Sequence, residues 1–214
     1  MARARRHPAH HRDAHGNPED LEACLGRLLD PGRARWQKPG AVVRALRLRP
    51  GQTVGEIGAG PGFFTFRLAR AVGPRGRVYA VDAEPRMLER LVARLPRSRV
   101  RNVTPVLGRD DDPLLPARCC DLILVVNTYH HFPDGRAFLR RLVRSLRPGG
   151  RLANVDFHDR ETPVGPPLEH RVPREAFLRD AGRAGLRLAG EADFLPYQYF
   201  LILELRRTDG RDAQ

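Results

Sequence analysis

The segment Val54–Phe64, VGEIGAGPGFF, constrains the fold of this chain more than any other. An apolar run ends in three alternating glycines, Gly58, Gly60 and Gly62, and a stretch with helical spacing follows. That is the strand, tight turn and helix of a parallel α/β unit, in which the backbone approaches a ligand at the carboxyl end of the strand. Three alternating glycines are costly in chain entropy, and a turn with no ligand is the poorer explanation for them. Glu56 stands two residues before the first glycine, and Phe63 rather than a glycine follows Gly62. A carboxylate there repels a pyrophosphate and suits a cationic group, so the loop favours a ligand carrying an ammonium or sulfonium over a dinucleotide.

The rest of the chain repeats the alternation. Apolar runs at Val54–Ile57, Val78–Val81, Val103–Leu107, Leu122–Val126 and Leu152–Val155 predict buried strands. Helical spacing lies between them at Gly62–Val72, Pro85–Leu95 and Gly135–Leu146. Strands alternating with helices imply a doubly wound, Rossmann-like parallel sheet with right-handed crossovers and helices on both faces. A further helix over Arg174–Ala184 precedes two apolar stretches, Leu186–Leu188 and Tyr197–Leu205, which predict a terminal hairpin on that sheet. Upstream, Pro18 to Leu48 predicts two short helices separated by Pro31-Gly32, with Pro39 in the first turn of the second. The organisation expected is a basic, His-rich disordered tail (1–18), a helical extension (19–50), the α/β domain (51–206) and a short disordered tail (207–214).

At the end of the second strand, VYAVDAEPRML places Asp82 24 residues after Gly58. An acid at that distance accepts hydrogen bonds from ribose hydroxyls, and helix capping is its competing role. Asp82 at the strand tip fits the ribose, and Glu84-Pro85 fits the start of the helix.

Taken together, VGEIGAGPGFFTFRLARAVGPRGRVYAVDAEPRML, LPARCCDLILVVNTYHHFPD and LRPGGRLANVDF resemble the class I S-adenosylmethionine-dependent methyltransferases. The likeness spans about Trp36 to Leu205 and is strongest to the small-molecule branch that includes the ubiquinone/menaquinone-biosynthesis C-methyltransferases. It implies a seven-stranded sheet, mostly parallel, whose last strand is antiparallel. It implies S-adenosyl-L-methionine as cofactor, with Glu56 and the loop of Gly58, Ala59, Gly60 and Gly62 on its methionine part and Asp82 on its ribose. The family's acid after the third strand usually follows a glycine directly. Here Gly108 is followed by Arg109 and then Asp110, Asp111 and Asp112; Asp111 is preferred for the adenine amino group, with Asp110 as the alternative. Asn127 matches the position that contacts the cofactor and opens the acceptor pocket.

Methyl transfer from a sulfonium is an in-line displacement, so alignment of acceptor and methyl carries most of the catalysis. A general base is needed only where the acceptor carries a proton. His131 and His130 after strand four are the candidate catalytic residues, with Asp156 and His158 after strand five nearby. A histidine that orders its loop by bonding backbone is the alternative for either. The Pro/Gly-rich segment Asp156–His170 predicts a loop overhanging the active edge. Tyr197, Tyr199 and Phe200 line an acceptor pocket or pack in the sheet, and Trp36 of the extension closes the other side.

The expected activity is methyl transfer to a small-molecule acceptor. An RNA- or protein-directed enzyme on the same fold, or a cofactor-binding protein without catalysis, are the alternatives. The formal net charge of +13 points first to nucleic acid. However, 37 of the 38 basic residues are arginine, as a GC-rich coding sequence would give, and Gly and Pro are also abundant. Arg86, Arg90 and Arg94, and likewise Arg136, Arg140 and Arg144, recur every four residues and predict solvent stripes on helices that lie on opposite faces of the sheet. Nucleic acid is therefore not the expected partner, and Arg3, Arg5, Arg6 and Arg12 are left as the only local basic cluster. His7, His10, His11 and His15 fix no coordination geometry, so no metal site is assigned. Three cysteines, two of them adjacent, give neither a CxxC metal spacing nor a disulfide framework. Without an apolar stretch long enough to span a bilayer, the expected location is cytoplasmic; oligomeric state is not encoded legibly.

Overall fold

The computed structural model of the protein describes residues 21–206. The two predicted tails, with their histidine and arginine clusters, lie outside the described residues.

Five strands stand where the apolar runs predict, with helices between all but β3 and β4: β1 (Thr53–Ile57), α4 (Thr65–Val72), β2 (Arg77–Asp82), α5 (Pro85–Ser98), β3 (Val103–Leu107), β4 (Cys120–Val126), α6 (Gly135–Ser145) and β5 (Leu146–Phe157). Then come α7 (Arg174–Arg183), β6 (Leu186–Ala192) and β7 (Gln198–Leu205). The seven strands form one sheet in the order β3-β2-β1-β4-β5-β7-β6. Strands β1 to β5 pair in parallel, and β7 runs antiparallel between β5 and β6. The terminal hairpin is therefore present with its second strand inserted inward.

Period-two burial divides each central strand between two layers. Ile123 and Val125 face α6 and α7, where Phe138, Leu142 and Phe177 complete a core. Leu122, Leu124 and Val126 face the opposite layer with Leu68 and Val72 of α4. Ala80 meets Leu91 of α5 on that second face, so α5 and α6 do lie on opposite sides of the sheet.

Several boundaries differ from the expected ones, α5 running on to Ser98 and β6 to Ala192 among them. The extension holds three helices rather than two: α1 (Leu21–Leu29), α2 (Arg33–Gln37) and α3 (Pro39–Ala45). The extra one, RARWQ, is five residues long and has no apolar periodicity to betray it. α4 begins at Thr65 rather than Gly62, because Gly62 has φ +91°, outside helical space. β5 starts at Leu146, ahead of the Pro-Gly-Gly turn signal, because Leu146 pairs with Cys120 across an irregularity in the ladder.

The arginine stripe on α5 is also only partly solvent-facing. Arg94 is half-buried, donates to the Pro61 carbonyl and lies 5.2 Å over the Phe66 ring, so it props the glycine loop from behind. No helix among the described residues is long and apolar enough to cross a membrane, and no group of three or more His, Cys, Asp or Glu among them could hold a metal ion.

Candidate active site

The strand order reverses between β1 and β4, and a crevice opens at such a switch point outside the carboxyl ends of the strands. The glycine loop sits there. Gly58 and Ala59 both donate to the Val81 carbonyl, at 2.9 and 3.0 Å, which bends the chain off β1 towards β2. Gly58, Gly60 and Gly62 all have left-handed φ, +72°, +52° and +91°. A Cβ on Gly58 would collide with the Thr128 side chain, and one on Gly62 would come within 2.8 Å of the Phe66 ring. These two glycines permit close packing of the loop against β4 and α4. At Gly60 the nearest atom to such a Cβ is Leu28 Cδ1 at 3.7 Å, so Gly60 is where the loop leaves room for a ligand.

Two of the predicted acids flank this loop. Glu56 is 4% exposed and accepts from Thr65 Oγ1 at 2.6 Å. Burial pushes its carboxyl up to about 8; the Thr65 hydrogen bond and the Arg33 guanidinium oppose the rise, and Asp82 adds to it. Asp82 takes Gly60 N–H on one carboxylate oxygen at 2.7 Å and Glu84 N–H on the other at 3.0 Å. Burial raises its pKa too, against those backbone hydrogen bonds. A carboxylate offers about four lone-pair positions, so Asp82 keeps acceptor capacity to spare while it shapes the loop. Glu84 caps α5 by accepting from Arg86 N–H, which leaves Asp82 as the acid at the strand tip. The residues present therefore fit S-adenosylmethionine, with a buried carboxyl for a cation, an open glycine and a strand-tip acid with spare acceptor capacity.

The third acid stands apart. Arg109 and Asp112 exchange backbone hydrogen bonds across a tight turn, which leaves Asp111 at the surface, 68% exposed and 3.3 Å from Arg141 of α6. Arg141 also pairs with Asp112.

Beyond β4, Asn127 has left-handed φ, +52°, and its Oδ1 accepts from Nε2 of Gln198, the first residue of β7. The antiparallel direction of β7 brings that residue to the active edge. Gln198 is 1% exposed, and its Oε1 has no hydrogen-bond partner among the described residues. His130 is buried with Nδ1 3.3 Å from both carboxylate oxygens of Asp156, and its ring lies 4.2 Å from that of the half-exposed His131. Tyr199 and Phe200 belong to the two cores, whereas Tyr197 meets Trp36 at 6.3 Å and Phe157 meets the same indole at 5.6 Å.

Two functional side chains escaped the sequence reading. Arg33 of α2 is buried, lies 4.2 Å over Phe63 and donates to Gln37 Oε1 and the Leu28 carbonyl. Burial lowers its pKa to about 10 although the charge of Glu56 opposes the shift, so the two groups act on each other electrostatically. No local signal distinguishes it from 36 other arginines. Arg171 holds the loop after β5: its guanidinium donates to the carbonyls of His158, Arg160 and Pro166 and to Thr162 Oγ1. Arg171→Ala is expected to release that loop, seen as trypsin cleavage at Arg160 at least tenfold faster than in the parent. An unchanged digestion rate would show that Phe157 and Trp36 hold the loop without it.

A buried carboxylate ahead of a glycine loop, an acid at the next strand tip and a 3-2-1-4-5-7-6 sheet define a Rossmann-like domain built for a cationic nucleoside ligand. Residues 54–150 match the methyltransferase-domain family. A solved S-adenosylmethionine-dependent methyltransferase from Aquifex aeolicus superposes with a TM-score of 0.81 at 26% identity, covering 85% of this chain and 96% of that one. These matches support a class I S-adenosylmethionine-dependent methyltransferase domain over residues 54–150. A demethylmenaquinone methyltransferase from Tropheryma whipplei is 33% identical over 149 residues, 68% of this chain and 59% of that protein. A protein-L-isoaspartate O-methyltransferase from Ignicoccus hospitalis is 33% identical over 109 residues, 51% and 49% respectively. The chain thus spans about half the length of the curated relatives it matches.

Proposed function

We propose that this protein transfers a methyl group from S-adenosylmethionine to a small-molecule acceptor held at the carboxyl edge of β4 and β5. The observation that carries the reading is the buried Glu56 behind the open Gly60 turn in a chain of this family. When bound, the cofactor supplies an electrophilic methyl group on a sulfonium. Glu56 receives the ammonium, loop N–H groups receive the carboxylate, and Asp82 accepts from the ribose hydroxyls. Asp111 turns from Arg141 to the adenine amino group, and Asn127 marks the passage to the acceptor. Cofactor binding is tested by calorimetry with S-adenosylhomocysteine; no heat at millimolar ligand would sink the assignment.

Two observations support a small acceptor. Trp36, Phe157 and Tyr197 gather aromatic surface at this edge, and the Tropheryma whipplei relative is named for demethylmenaquinone. For an acceptor that loses a proton, His130 is the candidate base. A carboxylate only accepts, so Asp156 fixes Nδ1 as the donor and leaves Nε2 basic. That partner is a side-chain carboxylate, not the backbone oxygen expected of a merely loop-ordering histidine. His130→Ala is expected to lower kcat by about 10²–10⁴ with a smaller change in KM. Equal turnover in parent and variant across pH 6–9 would remove His130 from the chemistry.

The isoaspartate relative favours a second reading, a protein-directed enzyme. Labelled S-adenosylmethionine offered to an isoaspartyl peptide and, separately, to a protein-free extract of the source cells distinguishes the two. Label in the peptide alone would overturn the small-molecule reading.

A further inference from the structure

We propose that the amino edge of the sheet, opposite the methyl-transfer site, binds a small, multiply charged phosphate ligand such as a polyphosphate or nucleoside triphosphate. The turns entering β1 and β2 and the starts of β3 and β5 enclose a cavity of about 560 Å³ there. Four guanidiniums line it, those of Arg75, Arg77, Arg101 and Arg147, and no aspartate or glutamate is among its lining residues. These arginines lie far apart in the chain, so the structure corrects the expectation that the N-terminal arginines form the only basic cluster.

Three of the four charges in this cavity have no carboxylate partner among the described residues. Arg147 is paired with Asp121 at 2.7 Å, and Asp121 also accepts from Thr53 N–H. Arg77 rests 5.9 Å over the Tyr79 ring. Neither Arg75 nor Arg101 has a carboxylate partner among the described residues. Three guanidiniums around one concavity repel one another, and an anion of three or four charges relieves that repulsion. Guanidinium forks match phosphate oxygens bidentately, so the complement is a chain of phosphates rather than a single carboxylate.

The cavity walls are fixed. Asn102 donates from Nδ2 to the carbonyls of Ala69 and Gly73, which ties the end of α4 to the start of β3. Gly76 is packed so closely that a Cβ there would come within 2.8 Å of both Val72 and the Gln52 carbonyl. Arginines mounted on such turns bind with less ordering cost than arginines on a free tail. The volume suits a ligand of nucleotide size. Thr53, Thr104 and Asn102 add polar wall, which disfavours an apolar ligand. A five-residue strand spans about 17 Å, so this ligand does not share the cofactor crevice.

The test compares full-length protein with Arg75→Glu/Arg101→Glu, and with Arg136→Glu/Arg140→Glu on the exposed face of α6, which changes net charge equally. Calorimetry at 50 mM NaCl with inorganic triphosphate and with ATP, without added metal, is expected to show binding to the parent. The cavity variant is expected to bind at least tenfold more weakly and the α6 variant within twofold of the parent, while both keep parental affinity for S-adenosylhomocysteine. Should the charge reversal unfold the protein, Arg75→Gln/Arg101→Gln provides the same comparison. Equal affinity for the two probes identifies the phosphates as the recognised group, and tighter ATP binding adds the nucleoside; either supports the site. No binding at 1 mM of either probe, or equal losses in the two charge variants, overturns it. Single-stranded RNA binding tenfold or more tightly than triphosphate through the same arginines would overturn the small-ligand assignment in favour of nucleic acid.

Discussion

Glu56→Gln is expected to weaken S-adenosylhomocysteine binding a hundredfold or more while raising the melting temperature by several degrees. Both effects come from one buried carboxyl. Losing one partner of a buried charge pair costs about 2–5 kcal/mol, and glutamine offers the ligand's ammonium a dipole in place of a charge. In the unfolded chain a glutamate ionises near its ordinary 4.5, whereas in the fold Glu56 holds its proton up to about 8. Between those values unfolding releases a proton, so this group makes stability fall as pH rises. At pH 7 the proton that Glu56 must take up on folding costs the fold on the order of 3 kcal/mol. Glutamine removes that contribution and still accepts from Thr65. The gap in melting temperature between variant and parent therefore widens from pH 5 to pH 8. Ligand binding pulls the other way: below pH 8 the incoming ammonium must expel the Glu56 proton, so affinity rises from pH 6 to 8. Calorimetry at pH 7 in two buffers of different ionisation enthalpy should report close to one proton released. A pH-independent melting gap together with no proton release would refute a protonated Glu56.

Asp82→Ala is expected to lose both fold stability and cofactor affinity, in contrast to Glu56→Gln. The change strips acceptors from Gly60 N–H and Glu84 N–H. Leaving a buried donor unpaired costs about 1–3 kcal/mol, so two such groups predict about 2–6 kcal/mol in urea denaturation. The Gly60 turn relaxes with them, and the ribose loses its acceptor, giving at least a hundredfold weaker S-adenosylhomocysteine binding. Asp82→Asn keeps one acceptor oxygen and should fall between parent and Ala in stability. If Ala and Asn were equally stable, Asp82 would serve the ligand alone and not the loop.

The central strands were legible because a strand buried on both faces leaves an uninterrupted apolar run, as at Leu122–Val126. The glycine loop was legible because its backbone conformation excludes side chains. α2 was not, since five residues without an apolar stripe are ordered only by what they pack on. Asp111 is one of three adjacent acids, and whether a carboxylate on such a turn faces inward depends on Arg141, 30 residues away. The N-terminal arginines drew attention by adjacency, whereas Arg75, Arg77, Arg101 and Arg147 meet only because parallel strands start at one edge.

By itself the sequence determined the alternating α/β layers, the turn after β1 and the acids at two strand tips, because hydrophobic period, glycine conformation and strand-end chemistry are local properties. Tertiary structure alone decided which charges share a site. It brought Arg33 within electrostatic reach of Glu56, set His130 against Asp156 and gathered four arginines around a cavity roughly 17 Å from the glycine loop. Such pairings depend on strand order and helix docking, which bring together residues that no spacing along the chain relates.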